Sequence, residues 1–308
     1  MNSSNQLTSN STNLHNYFFI ASIVEASLIA IIGFLGVTFG IIGLFIVRRN
    51  SFLKGITGLY ASLDLINTII INACHLLWGV PCALWSISDS LPFLNYFFGN
   101  LIFTSVALGF LPKVYLGLSR FVVLAFNGKY SERFERTRRF QYASMVIYPL
   151  CIAILYSLPG CHCVFLTKSK NYFWTEGEQG LRVLFYAQLM VSYVFMPITT
   201  FIDASIFWMV RKKVFRAARQ RTSQQKTEQL RKEYRLAAQM LVNLVNGILL
   251  NVSVFISKDF YLDLIAGFIV NTMLWQICTM TVSLSYVVFF KEKRSKALAI
   301  PLFILCLQ

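Results

Sequence analysis

The stretch ASLIAIIGFLGVTFGIIGLFIV, Ala26 to Val47, decides the fold, because it runs for 22 residues without a charge. A helix of about 20 apolar residues crosses the roughly 30 Å hydrocarbon core of a bilayer. Charged residues make up only 13% of the whole chain, against about 25% in soluble domains. Six further apolar runs of spanning length follow, at 55–80, 90–111, 140–158, 183–210, 236–257 and 264–290. We therefore predict an all-α membrane protein, a bundle of seven transmembrane helices, rather than a barrel of short alternating strands.

The basic residues lie in alternate connections, and this pattern predicts the orientation. Lys and Arg cluster at 48–54, 129–139, 211–235 and 291–296, whereas the other connections and the first 25 residues are nearly neutral. The positive-inside rule then places the amino terminus outside and the carboxyl terminus in the cytoplasm. The expected layout is an extracellular tail (1–25), a transmembrane domain (26–290) and a cytoplasmic, basic and amphipathic tail (291–308) that contacts membrane lipid. Since the positive charge follows topology, no nucleic-acid partner is expected.

The connection 211–235 is expected to continue the flanking helices out of the membrane, because it contains many good helix formers and neither Pro nor Gly. Its ten Lys and Arg residues leave two interpretations open. They form either a solvated cationic surface or a docking surface for a cytoplasmic partner.

The predicted outer surface carries two kinds of candidate modification. Asn2 and Asn10 stand in Asn-x-Ser/Thr triplets on the amino-terminal tail and are candidate glycosylation sites. Cys82 ends the second span, and Cys161 and Cys163 lie in the long outer connection, all in an oxidising compartment. We hypothesise a disulfide from Cys82 to Cys161 or Cys163, the alternative being that the three are unpaired thiols.

Three charged residues interrupt the apolar spans and form a predicted intramembrane polar core: Asp64, Lys113 and Asp203. A carboxylate without a partner at this depth would cost several kcal/mol, so Asp64 should face the bundle interior. The alternative role is a polar contact between helices, which is often worth only about 1 kcal/mol. Lys113 could pair with Asp64 or with Asp203, and the sequence leaves that choice open.

The chain carries no pattern typical of an enzyme. Its three histidines, His15, His75 and His162, are dispersed, and no H-E-x-x-H, G-x-S-x-G or phosphate-binding glycine loop occurs. No metal and no other cofactor are expected. The seventh span, 264–290, lacks a lysine to which retinal could be attached, so photoreception is not expected.

Several segments together carry a family resemblance. An aspartate in LYASLD and an arginine near the end of the third span resemble G-protein-coupled receptors. The segments FLGVTFGIIGLFIVRRNSFLKG (34–55), GLSRFVVLAFNGKYSERF (117–134) and VSYVFMPITTFIDA (191–204) are similar to the nematode serpentine chemoreceptors, most closely class x. The resemblance covers nearly the whole chain.

The resemblance implies a chemosensory receptor that binds a small environmental ligand and activates a heterotrimeric G protein. Ser119, Arg120, Tyr130 and Tyr286 would take part in coupling to the G protein. Phe103, Tyr193, Asn271 and Trp275 are the candidate ligand-pocket residues. The location implied is the plasma membrane, as a multi-pass protein, and by resemblance the cilium of a sensory neuron.

Departures from the family pattern keep alternatives open. Ser119 replaces the residue that precedes the arginine, which is acidic in the wider receptor family and typically Asn in class x. The seventh-span N-P-x-x-Y pattern reads Val282-Ser283-Leu284-Ser285-Tyr286. Asp64 matches the family's sodium-site aspartate, but Gly109 and Val282 stand where its partners are expected, so sodium regulation is not expected. A constitutively active receptor or a copy with weakened signalling remains an alternative, as does a seven-span transporter or channel, although no repeat symmetry is present.

Overall fold

The structure, a computed structural model, describes residues 3–50, 55–126, 129–167, 170–219, 224–259 and 264–290. Seven helices within these residues are long and apolar enough to cross a membrane, which confirms the predicted seven-helix bundle. We call them spans 1 to 7: Phe19–Arg49, Ile56–Trp85, Pro92–Ala125, Arg138–Ser157, Gly177–Lys213, Tyr234–Ser257 and Ile265–Phe290.

Several helices extend beyond the membrane-spanning windows. The helix of span 1 begins at Ser3, so the expected tail 1–25 is helical from Ser3 onward, and its last seven residues belong to the span. Glu25 is tolerated there because its carboxylate accepts a hydrogen bond from Asn171. The helix of span 5 continues to Arg219 and that of span 6 begins at Gln224, as the composition of the connection predicts. Residue Asn2 and the tail 291–308 lie outside the described residues, as does the side chain of Asn10.

The two ends of the bundle differ in structure. One carries an antiparallel hairpin, β1 (Cys163–Leu166) and β2 (Tyr172–Thr175), with Cys163 opposite Thr175. We call it the hairpin end. The other carries Arg48 and Arg49 and a short helix, Ser131–Arg136, and we call it the basic end. The sequence predicted a long connection at the first end but not the hairpin.

Span 3 is the central helix, because it packs against spans 2, 4 and 5 and against β1. Spans 1, 2 and 7 form a second packed group, and glycines let them approach closely. A methyl group on Gly36 would lie 2.4 Å from Cγ of Asn72, and one on Gly40 would lie 2.4 Å from Cγ1 of Ile69. Small residues at helix contacts are typical of membrane bundles, where close packing replaces the hydrophobic effect as the driving force.

Three spans contain a π-helical turn near the hairpin end: His75–Gly79 in span 2, Leu184–Leu189 in span 5 and Ile269–Met273 in span 7. In span 2, Pro81 lies two residues after the turn and has no N–H to continue the α-helical pattern. Such turns insert an extra residue and rotate the side chains that follow, and they are frequent at functional sites. Two of them contribute residues to the cavity described next.

Candidate functional site

A cavity of about 240 Å³ lies in the middle of the bundle, between spans 2, 3, 5, 6 and 7. Along span 3 it extends from Phe103 to Val114, about 16 Å at the rise of an α-helix. Phe173 and Trp174 of β2 line it towards the hairpin end, and Lys113 and Asp203 line it deeper in the bundle. The hairpin therefore forms one boundary of the cavity.

The part of the cavity nearest the hairpin is aromatic. The rings of Phe103 and Trp275 meet edge to face at 5.6 Å between centroids. His75, fully buried behind them, contacts Phe173 at 5.1 Å and Trp275 at 6.0 Å. These contacts provide a rigid apolar wall of the kind on which small ligands pack.

Three of the four predicted pocket residues line the cavity: Phe103, Asn271 and Trp275. The amide oxygen of Asn271 accepts a hydrogen bond from the hydroxyl of Ser257 at 2.7 Å. Tyr193 instead packs against the hydrophobic cluster at the hairpin end. Its position on span 5 could not be assigned from sequence, because the π-helical turn just before it shifts the facing of the helix.

Deeper in the bundle, one buried carboxylate joins four spans. Asp64 of span 2 is 2% exposed, and its Oδ1 lies 3.1 Å from the ammonium of Lys113 on span 3. Its Oδ2 accepts hydrogen bonds from the amide of Asn243 on span 6 and the hydroxyl of Tyr286 on span 7, each at 3.1 Å. We call these four residues the Asp64 hub. The hub resolves the pairing that the sequence left open, since Lys113 pairs with Asp64 and not with Asp203.

The hub does not fit a sodium ion. Sodium would need several oxygen ligands around Asp64, but the ammonium of Lys113 already supplies a positive charge to that carboxylate. Gly109 contributes no ligand and instead makes room for Asn67, whose amide nitrogen would lie 2.1 Å from a methyl group at Gly109. Val282 is apolar and packs in the core with Tyr286.

Two asparagines that sequence reasoning missed bring free acceptors to the cavity. Asn67 and Asn243 both line it, and the side-chain oxygen of each is buried without a hydrogen-bond partner among the described residues. The sequence signal for them was an amide side chain inside an apolar run, since a polar side chain at membrane depth needs a partner or a cavity. They add unused hydrogen-bonding capacity next to the hub.

Asp203, the remaining charge of the predicted polar core, lies apart from the hub. Its Oδ1 would be 3.1 Å from a methyl group on Gly117, so the carboxylate packs against the backbone of span 3. The side chain is half-buried and lines the cavity. Within the described part of the chain, it makes no hydrogen bond and no ion pair.

The predicted coupling residues occupy two places. Ser119, Arg120 and Tyr130 lie at or just beyond the basic end of span 3, where the Ser119 hydroxyl donates to the carbonyl of Leu116 at 2.9 Å. The ring of Tyr130 packs edge-on against Phe126 at 5.0 Å, with the guanidinium of Arg133 5.3 Å from its centroid. Tyr286 is instead fully buried in the hub.

The hairpin is fastened to span 3 by amide side chains. Oδ1 of Asn95 accepts hydrogen bonds from the backbone N–H of Phe165 at 2.7 Å and from the indole of Trp78 at 3.0 Å. Oδ1 of Asn100 accepts one from the N–H of Cys163 at 3.0 Å. Asparagines in an apolar run were again the only sequence signal, and sequence reasoning did not use it.

Cys82, Cys161 and Cys163 are buried, free thiols in the structure. Burial, reinforced by the nearby thiol of Cys161, holds the pKa of Cys163 well above its usual value. A raised pKa means less of the reactive thiolate at any given pH, so Cys163 should be a slow participant in disulfide exchange. The hypothesis of a disulfide from Cys82 stays a prediction.

Comparison with known proteins agrees with this architecture. A sequence model of the family described as "Serpentine type 7TM GPCR chemoreceptor Srx" matches residues 28–289, which includes all seven spans except the first nine residues of span 1 and the last residue of span 7. A search among curated protein sequences gave no match. The family match favours a receptor over a transporter, a channel or an enzyme. The chain therefore belongs to the serpentine Srx family of seven-transmembrane, G-protein-coupled chemoreceptors.

Proposed function

We propose that this protein is a chemosensory receptor that binds a small molecule in the central cavity and activates a heterotrimeric G protein at the basic end. The hairpin end would face the outside and the basic end the cytoplasm, as the distribution of Lys and Arg indicates. The location would be the plasma membrane, and by family the cilium of a sensory neuron.

One observation carries the proposal: the cavity and the hub share residues. Lys113 and Asn243 line the cavity, and both bind Asp64. A ligand that contacts either side chain therefore acts directly on the carboxylate that joins spans 2, 3, 6 and 7. A ligand shifts a conformational equilibrium only by its differential affinity for the two states, and shared residues supply such a difference.

From the hub, Tyr286 leads to the basic end. Its ring stacks on Phe290 at 5.9 Å between centroids, in a cluster with Val47, Ile206 and Met240. This cluster packs spans 1, 2, 5, 6 and 7 together near the basic end. Loss of the hydrogen bond between the Tyr286 hydroxyl and Asp64 would thus let this cluster rearrange, and we infer that a G-protein site opens next to it.

Arg120 is the proposed contact to the G protein. It lies five residues before the end of span 3 at Ala125, about 8 Å along the helix. Two roles compete: an anchor whose charge reaches the lipid headgroups, which lysine could also perform, and a planar donor to carbonyls or an aromatic ring of the G protein, which lysine could not replace.

Substitution of Arg120 tests the proposal. Arg120→Lys and Arg120→Ala should both reach the cell surface, and both should lose most of the basal or ligand-evoked nucleotide exchange on a co-expressed G protein. Arg49→Ala, which removes an exposed arginine at the same end, is the matched control and should signal like the parent. If lysine restores exchange fully while alanine fails to reach the surface, Arg120 is only an anchor.

Ser119 offers a second measurement on the same assay. Because no acidic residue precedes Arg120, no restraining ion pair comes from that position. Ser119→Asp should therefore lower basal nucleotide exchange. A rise in basal exchange would contradict this account of the inactive state, and a parent chain without any exchange activity would support the weakened-copy alternative.

A further inference from the structure

The charges around the central cavity do not balance. Lys113 and Asp203 line it, and Asp64 lies directly behind Lys113. The ammonium of Lys113 is committed to Asp64 at 3.1 Å, so those two charges neutralise each other. The carboxylate of Asp203 remains, and the described residues give it neither a hydrogen bond nor an ion pair.

The surroundings of Asp203 make this imbalance costly. On one side the carboxylate meets the backbone of Gly117, and the methyl groups of Ile202 and Met240 lie against the same glycine. A half-buried carboxylate loses part of its hydration, and without a partner that loss is a free-energy cost at membrane depth. A positively charged group in the cavity would offset that cost. Asp203 lines the cavity, so its carboxylate is within reach of such a group.

We propose that the ligand of this cavity is a small organic cation, a protonated amine on an apolar body, whose ammonium group binds Asp203; the inference rests on the proposed receptor function. The apolar body would lie along the face of span 5 that leads away from Asp203. Thr199 and Met196 stand four and seven residues before it and line the same cavity, as helical spacing requires. Phe110 lines the wall that faces them from span 3.

The same charges argue against the other ligand classes. An anion would have to take Lys113 from Asp64, which would leave a carboxylate that is 2% exposed without its cation. It would also enter a cavity that already holds the charge of Asp203. A neutral ligand could at most donate a hydrogen bond to Asp203 and would leave its negative charge uncompensated. The volume of about 240 Å³ limits the ligand further, because it lies below the roughly 300–1,000 Å³ of drug-sized sites.

Three probes of matched size and different charge test the inference: 3-phenylpropylamine, 3-phenylpropanol and 3-phenylpropanoate. Each is added to the purified full-length chain in lipid nanodiscs, and binding is read from the rise in the thermal unfolding temperature. We expect the amine to bind about tenfold or more tightly than the alcohol, as a charge-assisted contact requires, and the acid to bind weakest. This comparison uses only the parent chain, so it does not depend on how a variant folds.

Variants then locate the effect. Asp203→Asn should reduce the preference for the amine over the alcohol to about twofold or less, since the ion pair is lost. Asp203→Glu should retain it. The control is Asp89→Asn, which removes an exposed carboxylate at the hairpin end, outside the central cavity, and should leave the preference unchanged.

The inference is overturned if the acid or the alcohol binds as tightly as the amine, if none of the three probes binds, or if Asp203→Asn keeps the preference. Failure of the receptor function is a separate result, because nucleotide exchange in the Arg120 variants is measured without any probe. Amine binding without G-protein activation would reject the receptor function and leave the charge class of the ligand standing.

Discussion

Asp64 receives one contact from each of three other spans, so a change of one residue alters the packing of four helices. Its position follows from sequence reasoning, because a carboxylate in an apolar run must face the interior. The pairing of Lys113 with Asp64 rather than with Asp203 does not, because it depends on how far spans 2, 3 and 5 are shifted and rotated against one another. Asn243 escapes prediction for the same reason.

Removal of the cation should be more harmful than removal of the whole pair. We expect Lys113→Met to destabilise the chain by somewhat less than the roughly 3–5 kcal/mol typical of a broken buried pair, because the Lys113 side chain is 37% exposed. The double variant Asp64→Asn with Lys113→Met should recover at least half of that loss, since Asn keeps hydrogen bonds to Tyr286 and Asn243 without a stranded charge. Thermal unfolding in detergent measures the stability of each variant in this double-mutant cycle. A Lys113→Met variant as stable as the parent would show that the ion pair contributes nothing to stability.

The hub also sets an order among substitutions of Asp64 itself. Asp64→Asn should reach the cell surface better than Asp64→Leu, because leucine leaves the hydroxyl of Tyr286, the amide of Asn243 and the ammonium of Lys113 without an acceptor. Surface labelling of the two variants, expressed side by side, checks this. Equal surface levels and equal signalling for Asp64→Leu and the parent would place Asp64 outside the functional core.

At the scale of elements, the seven spans could be predicted because their signal is length and apolarity, which do not depend on tertiary contacts. The hairpin and the π-helical turns could not. The residues that pair in the hairpin and the positions of the π-helical turns depend on tertiary contacts. Cys163–Leu166 contains no turn signal of its own. The membership of Phe103 and Trp275 in the cavity was predictable, whereas the position of Tyr193 depended on a π-helical turn.

The hairpin should depend on the hydrogen bonds that Asn95 accepts. Asn95→Ala leaves the N–H groups of Phe165 and Trp78 without their acceptor, at about 1–3 kcal/mol for a buried donor. Hydrogen exchange at the Phe165 amide should then become faster by about tenfold or more. The same measurement on Cys82→Ala decides the disulfide hypothesis: a disulfide from Cys82 to the hairpin predicts faster exchange in this variant, whereas unpaired thiols predict little change.

Close packing of span 3 against β1 gives a second prediction for this element. A methyl group on Gly99 would lie 2.0 Å from the carbonyl oxygen of Cys163, so Gly99→Ala forces the backbone of the hairpin away and should cost about 1–3 kcal/mol. The matched control is Gly247→Ala, which meets nothing within 4 Å. It should leave the unfolding temperature unchanged or raise it, because Ala is preferred to Gly in a helix interior by roughly 1 kcal/mol. A greater loss of stability for Gly247→Ala than for Gly99→Ala would contradict the close packing of span 3 against the hairpin.

At the scale of the whole molecule, the orientation in the membrane can be tested directly. Short epitope tags after Asn13 and between β1 and β2 should react with antibody on intact cells, because the nearly neutral segments are expected outside. A tag after Gln308 should react only after the cells are permeabilised. Labelling of that last tag on intact cells would reverse the orientation and remove the basic end from contact with a G protein.

The ion pair between Asp64 and Lys113 also bears on how the chain enters the membrane. The two residues lie on consecutive spans, which emerge from the ribosome one after the other. Each charge alone would add about 2.5–3.5 kcal/mol to the insertion of its helix if it lay at the bilayer centre. The charges of Asp64 and Lys113 can neutralise each other when spans 2 and 3 form a helical hairpin, before the remaining spans are synthesised. Insertion of the two helices into the membrane together therefore costs less free energy than two separate insertions. The same contact that joins the folded bundle thus lowers the barrier to its biogenesis.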